Sequence, residues 1–327
     1  MKIKSIKIEK LYGKYDIEWK LREGVNIIAG DNGSYKSTLL RILASICEPE
    51  KISDDFDVKG VTLSMTDNIL IKFRSFKDSL LRLKKEAEED ELLSELAAKI
   101  NADIEGNDGK SLSDHTINAS IIAIKQGNKT LSVGNYKKLR RYNLISTFDV
   151  PAGADKGSVL DQQLEKLESE YAYYLSDLTK QITTRIQQNG QVNMKDLEDI
   201  NAHNNTFIGI INRAFANTNK TVDTAQSKLQ FKLSEDLLES NKRLSAGEKQ
   251  FLIVMLTVLL QRKEESILIM DEPEISMHLD WQRTLIENIQ TLNPNCQIII
   301  ATHSPGVIMD GWEQLVENMS SLIRESK

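Results

Sequence analysis

Four short motifs in this 327-residue chain contain residue types that suit the binding and cleavage of a phosphate anhydride. They occur at residues 30–38, 244–250, 267–274 and 301–305. In that order they offer a loop that can wrap phosphate, a second phosphate-facing serine, a pair of carboxylates, and a histidine that can sense the terminal phosphate. Together the motifs predict a site that binds and hydrolyses ATP, with Mg²⁺ as the metal cofactor.

The first motif, GDNGSYKST, has the residue types and spacing of a phosphate-binding P-loop. Apolar alternation predicts strands over 2–10 and 15–21, and residues 25–29 form a short apolar run typical of a buried strand. The spacing of leucine and isoleucine over 37–46 predicts a helix. A loop between such a strand and helix directs backbone N–H groups and a helix N-terminus at phosphate. The context therefore supports the P-loop prediction.

This prediction assigns roles within the motif. Lys36 is expected to neutralise phosphate charge as a catalytic residue, and Ser37 to hold Mg²⁺. Where the usual pattern has a glycine before the lysine, this chain has Tyr35, whose Cβ restricts the backbone. Either the loop is loosened or the ring stacks outward, so nucleotide binding is better supported than rapid hydrolysis. The full set of expected nucleotide contacts here is Asn32, Gly33, Ser34, Tyr35, Lys36, Ser37 and Thr38.

The third and fourth motifs each follow a predicted buried strand. Residues 267–270 lead into Asp271 and Glu272, and a strand over 296–301 precedes His303. If the first of these strands runs parallel to the P-loop strand, Asp271 lies near Mg²⁺ and Glu272 can polarise an attacking water as the catalytic base. His303 is expected to donate to the γ-phosphate or to that water. The alternative is that both acids only cap a helix.

The regions between the motifs predict an α/β protein with a mixed sheet, an N-terminal β-subdomain and a helical insertion. Hairpins are expected over 58–74 and 117–133, a charged helix over 79–104 and a strand over 143–150. The predicted parts are an N-terminal lobe, 1–150, the helical insertion, 151–220, and a C-terminal lobe, 221–327.

Apolar residues recur within the helical insertion at alternating spacings of four and three. This seam fits either a coiled-coil arm or an ordinary amphipathic helix packed on its own domain. Its residues are Leu160, Leu164, Leu167, Tyr171, Tyr174 and Leu178.

Composition excludes several classes of protein. A net charge of -6 argues against a general nucleic-acid coat, although the basic cluster at 137–141 could form a local patch or a solvated loop. The longest apolar stretch, 251–260, is far shorter than the ~20 residues of a membrane span. The N-terminus is charged from Lys2 onward, so no membrane association is expected and the cytoplasm is the predicted location.

The second motif, LSAGE at 244–248, resembles the signature motif of ABC-type ATPases. The order of motifs also matches that family: Walker A, signature, Walker B with Glu272, a D-loop at 276–280 and a switch histidine at 303. The resemblance implies that Ser245 and Gly247 contact the γ-phosphate bound to the opposite subunit, so that two ATP molecules lie between two chains. A Ser245 cap with Glu248 in a capping box is expected in either case.

The segments DEPEISMHLDWQ at 271–282 and ATHSP at 301–305 resemble the soluble RecF, SMC and OLD-like group, and especially stand-alone, AAA-annotated ATPases of prokaryotic anti-phage defence. This resemblance implies a separately encoded effector, such as a nuclease or toxin, because the chain has no room for the Toprim domain of OLD proteins. It also implies that Tyr12 or Tyr15 stacks on adenine. Two alternatives remain open: a RecF-like or SMC-like DNA clamp, and an ATP-binding scaffold with slow hydrolysis. Gln162 and Gln163 are the nearest candidates for a Q-loop, whose residue stays unassigned.

Overall fold

The computed structural model describes residues 1–49, 57–76, 119–139, 144–146, 159–224, 229–234, 237–239, 244–309 and 311–326. The predicted helix over 79–104, most of the predicted strand over 143–150, and Arg140 and Arg141 of the basic cluster lie outside the described residues. The chain divides into two compact units: Met1–Leu144 with Glu317–Lys327, and Ile145–Val316. The division into lobe, insertion and lobe stays a prediction.

The strands of the described residues are β1 (Ile3–Leu11), β2 (Tyr15–Lys20), β3 (Val25–Ala29), β4 (Gly60–Met65), β5 (Ile69–Phe76), β6 (Ala119–Gln126), β7 (Lys129–Leu131), β8 (Leu144–Ser146), β9 (Thr221–Val222), β10 (Phe231–Ser234), β11 (Leu237–Glu239), β12 (Ser266–Asp271), β13 (Cys296–Ala301), β14 (Val316–Asn318) and β15 (Ile323–Glu325). The α-helices are α1 (Lys36–Cys47), α2 (Val133–Leu139), α3 (Val159–Asn189), α4 (Met194–Ala214), α5 (Ala246–Leu260), α6 (Leu279–Leu292), α7 (Pro305–Ile308) and α8 (Met319–Leu322). Short 3₁₀ turns occupy Ala216–Thr218 and Glu313–Leu315.

The first unit contains a 7-stranded antiparallel sheet in the order β15-β2-β1-β4-β5-β6-β7. The alternation seen in the sequence places one face of β1 and β2 in the core, with Ile6, Ile8 and Trp19 fully buried. The turn from β4 to β5 is at Asp67 and Asn68, which both have positive φ (59° and 54°) as a type I′ hairpin requires. Strands β6 and β7 likewise pair antiparallel, so both predicted hairpins are confirmed.

The second unit is organised around α5, which is apolar and buried on nearly all sides. Helices α3, α4 and α6 pack against it. Strands β12 and β13 pair in parallel with a continuous register from Ser266↔Cys296 to Asp271↔Ala301. Their apolar runs are buried along their whole length, as expected when a parallel pair is covered on both faces. The antiparallel sheet of the first unit and this parallel pair confirm a mixed α/β fold.

Two short strands, β9 and β10, follow α4 in the second unit. β9 ends at Val222 and pairs antiparallel with β10, where Phe231 lies opposite Val222. The Asp223 N–H donates to the Gln230 carbonyl at 2.8 Å. The segment therefore folds back on itself, and together with β11 it forms a small 3-stranded sheet.

The heptad-like seam of α3 packs inside its own unit. Five of its six residues are buried, and Tyr171 donates from its hydroxyl to Asn204 Oδ1 of α4 at 2.9 Å. The Tyr171 ring also contacts the Phe207 ring, with centroids 5.7 Å apart. Of the two interpretations left open by spacing, the structure therefore shows the amphipathic helix packed on its own domain. Among the described residues no helix is long and apolar enough to span a bilayer.

Candidate active site

The P-loop of the first unit forms a tight turn between β3 and α1. Gly30, Gly33 and Tyr35 all have positive φ (154°, 81° and 71°). A Cβ at Gly30 would lie 3.0 Å from Ser34 Oγ and 3.2 Å from Met319 Cβ, so a side chain there would crowd the loop. The backbone is thus folded closely around the position of the lysine.

The interior of this loop suits an anion. Lys36 is 5% exposed, and its Nζ donates to the carbonyls of Gly30 and Asp31 at 2.8 and 3.2 Å. Ser34 Oγ is buried and has no hydrogen-bond partner among the described residues. Helix α1 has no side-chain cap at Tyr35 and no acidic residue in its first turn, so its positive N-terminal end is not neutralised there. A phosphate therefore fits the residues present.

Tyr35 directs its ring out of the loop. Its centroid lies 5.6 Å from that of Tyr12 and 5.5 Å from that of Tyr15, both with tilted rings. A left-handed backbone costs a non-glycine residue about 1–2 kcal/mol. Each aromatic pair contributes about 0.5–1.5 kcal/mol beyond burial, so the two pairs offset that cost. The structure thus shows outward stacking, the second of the two alternatives for this residue.

In the second unit, β12 and β13 bring the predicted carboxylate and histidine into contact. Glu272 follows β12 with a left-handed φ of 47°, and its N–H donates to the Ala301 carbonyl at 2.8 Å. His303 follows β13, and its Nε2 lies 3.2 Å from Glu272 Oε1. Such a strained backbone at a non-glycine residue costs about 1–3 kcal/mol and is often associated with function. Parallel register explains the contact, because Asp271 and Ala301 end their strands side by side.

A further carboxylate, which sequence reasoning did not assign, holds the loop that carries His303. Glu274 is 7% exposed, and its Oε1 accepts hydrogen bonds from the Thr302 hydroxyl and the Ser304 N–H, the latter at 3.2 Å. The His303 N–H is shared between Glu274 Oε1 at 3.3 Å and Glu272 Oε2 at 3.2 Å. Glu274 thus orients the histidine loop. The signal in the sequence that could have identified Glu274 is its position as an acidic residue directly after Asp271, Glu272 and Pro273.

Gln282 of α6 braces the same loop from the other side. Its Nε2 donates to the Met277 carbonyl at 2.9 Å, and its Oε1 accepts from the Ser304 hydroxyl at 2.6 Å. A Cβ at Gly306 would lie 2.7 Å from that Oε1, so the chain approaches the amide too closely for a side chain. The loops after β12 and β13 are therefore linked by partly buried polar contacts.

The signature motif begins α5 with the predicted capping box. Ser245 Oγ accepts from the Glu248 N–H at 3.3 Å, while Glu248 Oε2 accepts from the Ser245 N–H at 2.8 Å. Gly247 also has a structural role, since a Cβ there would lie 2.1 Å from the carbonyl oxygen of Ser276 in the predicted D-loop. The helix N-terminus and this loop are therefore in close backbone contact.

Glu248 is ionised in a nearly closed environment. It is 2% exposed, and both its oxygens lie 3.0 Å from Lys220 Nζ, with the Thr218 hydroxyl also 3.0 Å from Oε1. Burial acts to raise the pKa of Glu248, but the hydrogen bonds from Ser245, Lys220 and Thr218 outweigh it and hold that pKa below its ordinary value.

The structure therefore groups the candidate residues by unit. The P-loop set lies in the first unit, and Asp271, Glu272, His303, Ser245 and Gly247 lie in the second. Of the basic cluster, Lys137 and Lys138 lie in the last turn of α2.

Comparison with solved structures identifies SMC head domains as neighbours in fold. The SMC head bound to the C-winged-helix domain of ScpA matches with a TM-score of 0.56 and 10% identity, over 94% of this chain and 91% of that chain. The SMC head domain from Thermotoga maritima matches with a TM-score of 0.50 and 12% identity, over 97% and 94% of the two chains. At this identity the likeness shows a shared fold, and it is the fold that the motif resemblance to the RecF, SMC and OLD-like group predicted.

Residues 25–310 match the family described as "AAA domain, putative AbiEii toxin, Type IV TA system", and the chain belongs to that family. A curated relative, the "Retron Vc95 probable ATPase" of Vibrio cholerae serotype O1 biovar El Tor, is 29% identical over 90 residues. That match covers 24% of this chain and 18% of the relative. The chain thus spans only a small part of that relative's length.

Proposed function

We propose that this chain binds ATP with Mg²⁺ and hydrolyses it to ADP and phosphate, in a dimer of two copies that regulates a separately encoded effector. The observation that carries the hydrolytic part is the contact of His303 Nε2 with Glu272 Oε1 at 3.2 Å. A carboxylate oriented in this way at the end of a buried strand suits a general base. The proposal is supported by the ATPase family to which the chain belongs.

Each site residue has a defined task. Lys36 and the N–H groups of the P-loop bind phosphate, and Glu272 takes a proton from the attacking water. The water oxygen bonds to the γ-phosphorus as the bond to the bridging oxygen breaks, which releases ADP and phosphate. His303 orients Glu272 and donates to the γ-phosphate. Ser37 and Asp271 would hold Mg²⁺, which neutralises phosphate charge when bound.

Hydrolysis is tested by phosphate release from ATP and Mg²⁺ at several protein concentrations. Wild type is expected to turn over slowly, and Lys36→Met to lose ATP binding because the buried ammonium inside the loop is removed. Lys20→Met, an exposed lysine on β2, is the matched control and should behave as wild type. Absence of ATP binding by wild type, or equal binding by Lys36→Met, would contradict the proposal.

The proposed dimer places Ser245 and Gly247 of one copy against the ATP of the other. Support comes from the exposed position of Ser245 at the N-terminal end of α5, where the helix dipole favours an anion. A mixing experiment separates action in trans from action in cis. Glu272→Gln and Ser245→Arg are each expected to be inactive, but their mixture contains one site with an intact Glu272 and an intact Ser245. Recovery of activity on mixing supports the dimer, and no recovery contradicts it.

The effector role rests on relatives rather than on geometry. The family description includes a toxin and a type IV TA system, the curated relative carries the name "Retron Vc95 probable ATPase", and the neighbouring SMC head is bound to a domain of ScpA. We therefore propose an antiviral defence role in which ATP state controls a bound effector. Co-purification of a neighbour-encoded protein that withstands nuclease treatment would support it.

A second candidate is a DNA-binding ATPase, favoured by the SMC-like fold and by Lys137 and Lys138 on one helix turn. Binding through phosphate contacts loses affinity steeply as salt rises, because neutralising phosphates releases counterions. A steep salt dependence of DNA binding, reduced in Lys137→Gln with Lys138→Gln, would favour this function over the effector role.

A further inference from the structure

We propose that two ionic pairs, Lys220 with Glu248 and Asp161 with Lys249, form a clasp through which the helical insertion positions the signature serine and thereby controls the rate of ATP hydrolysis. The inference rests on the proposed function, because it concerns the signature motif of the same site. Lys220 and Asp161 are positioning residues, since they act on Ser245 through its neighbours.

The first pair joins the end of the helical insertion to the signature motif. Lys220 lies just after α4 and the 3₁₀ turn, and its Nζ is 3.0 Å from both oxygens of Glu248. The side chains are 11% and 2% exposed, so the ions interact in a medium where solvent screens them weakly. Thr218 adds a hydrogen bond to the same carboxylate at 3.0 Å.

The second pair joins the start of the helical insertion to the next residue of the motif. Asp161 lies in the first turn of α3, and its Oδ1 is 2.7 Å from Lys249 Nζ. Lys249 is 9% exposed although it carries a charge. Long cationic side chains are seldom buried to this extent unless they are paired.

The two pairs together hold both ends of the helical insertion on two consecutive residues in the first turn of α5. Glu248 is connected directly to the proposed phosphate-contacting residue, because its Oε2 accepts the Ser245 N–H at 2.8 Å and the Ser245 hydroxyl accepts the Glu248 N–H. A displacement of either end of the insertion therefore moves Glu248 or Lys249, and with them the orientation of Ser245. An effector bound to α3 or α4 would act on hydrolysis by this route.

A buried ion pair by itself is weak evidence of a special role, since such pairs often contribute little net stability. The chain offers matched pairs that do not touch the signature motif. Lys232 lies 3.0 Å from Asp223, whose side chain is 3% exposed, and Arg262 lies 2.6 Å from Asp177 of α3. Substitutions in these pairs serve as controls, because they also remove an ionic pair but leave the signature motif unchanged.

The first experiment compares Lys220→Met with Lys232→Met. Lys220→Met is expected to lower kcat by roughly tenfold or more and to raise the protein concentration needed for half-maximal specific activity, because small misplacements of a catalytic group have large effects. The affinity of ATP for the P-loop should be unchanged. Lys232→Met should leave all three quantities at wild-type values, and Lys220→Arg should recover most of the rate.

The second experiment exchanges the charges of the other pair. Lys249→Asp and Asp161→Lys should each lower kcat, and the double variant should recover part of the loss because the pair is restored with reversed sign. Recovery of the rate, with equal melting temperatures for the single and double variants, separates positioning from a general effect on stability. Arg262→Met is the control, because it removes a different ionic pair to α3, the pair with Asp177.

The outcomes distinguish failure of the clasp from failure of the proposed function. If wild type hydrolyses ATP but Lys220→Met matches Lys232→Met, and the charge exchange gives no recovery, the clasp is wrong and the proposed function stands. If wild type shows no hydrolysis, the proposed function fails first. If Lys220→Met does not fold, the charge exchange at residues 161 and 249 decides.

Discussion

His303 and Glu272 are in contact although 31 positions separate them in the chain, with the imidazole Nε2 3.2 Å from the carboxylate Oε1. The backbone N–H of His303 also donates to the other oxygen of Glu272 at 3.2 Å. Two contacts from one residue restrict both the position and the rotation of the carboxylate. This orientation is what a general base needs, because proton transfer depends on reach and alignment.

Glu272→Gln is expected to lower kcat by at least about a hundredfold, since the amide cannot accept the water proton. ATP affinity should be retained, because phosphate binding is assigned to the P-loop. Phosphate release and equilibrium ATP binding measure the two effects. Glu287→Gln, an exposed position on α6, is the matched control. Equal turnover by wild type and Glu272→Gln would remove the catalytic assignment.

Glu274 gives a prediction that separates positioning from catalysis. Glu274→Ala leaves the Thr302 hydroxyl without its buried acceptor and removes one of the two acceptors of the His303 and Ser304 N–H groups, and should lower the free energy of unfolding by about 2 kcal/mol. Glu274→Gln retains one accepting oxygen and should cost less stability, while kcat falls and KM for ATP stays constant. Urea unfolding and steady-state kinetics measure these changes. A Glu274→Gln enzyme with wild-type kcat would show that the network does not orient His303.

Tyr35 allows the backbone cost to be measured apart from the ring contacts. Tyr35→Ala loses both aromatic contacts and keeps a left-handed residue with a Cβ, so it should be destabilised by about 1–3 kcal/mol. Tyr35→Gly loses the same contacts but relieves the strain, and should be more stable than the alanine variant by about 1 kcal/mol. Denaturant unfolding of both variants gives the difference. An alanine variant as stable as the glycine variant would contradict the strain at this position.

His203 should make stability depend on pH. Its Nε2 lies 3.0 Å from the Leu292 carbonyl, and burial lowers the pKa of the ring below its ordinary value of 6.5. The unfolded chain then binds the proton more readily than the folded chain, so stability decreases as pH falls from about 6.5 through the folded pKa. Unfolding free energies measured from pH 7.5 to 5 should show this slope, and His203→Gln should flatten it. The same slope in both proteins would assign it to other groups.

Much of the local structure follows from short-range pattern. Alternation predicts the first strands, the Asp67 and Asn68 pair predicts a hairpin, and the capping box at Ser245 predicts the start of α5, because each depends on neighbours within a few residues. The seam of α3 shows where pattern stops being sufficient. The same spacing fits a coiled coil and a packed amphipathic helix, and only the surface that covers it decides between them.

By itself, the sequence determined the class of fold and the order of the motifs, and it predicted which residues contact phosphate, hold the metal and act as base. Those properties depend on residue type and spacing along the chain. Tertiary structure alone decided that the Tyr35 ring stacks outward, that Glu274 holds the His303 loop, and that Lys220 and Asp161 reach the signature motif. These contacts join residues far apart in the chain, and long-range packing, which no local pattern records, brings them within hydrogen-bonding distance.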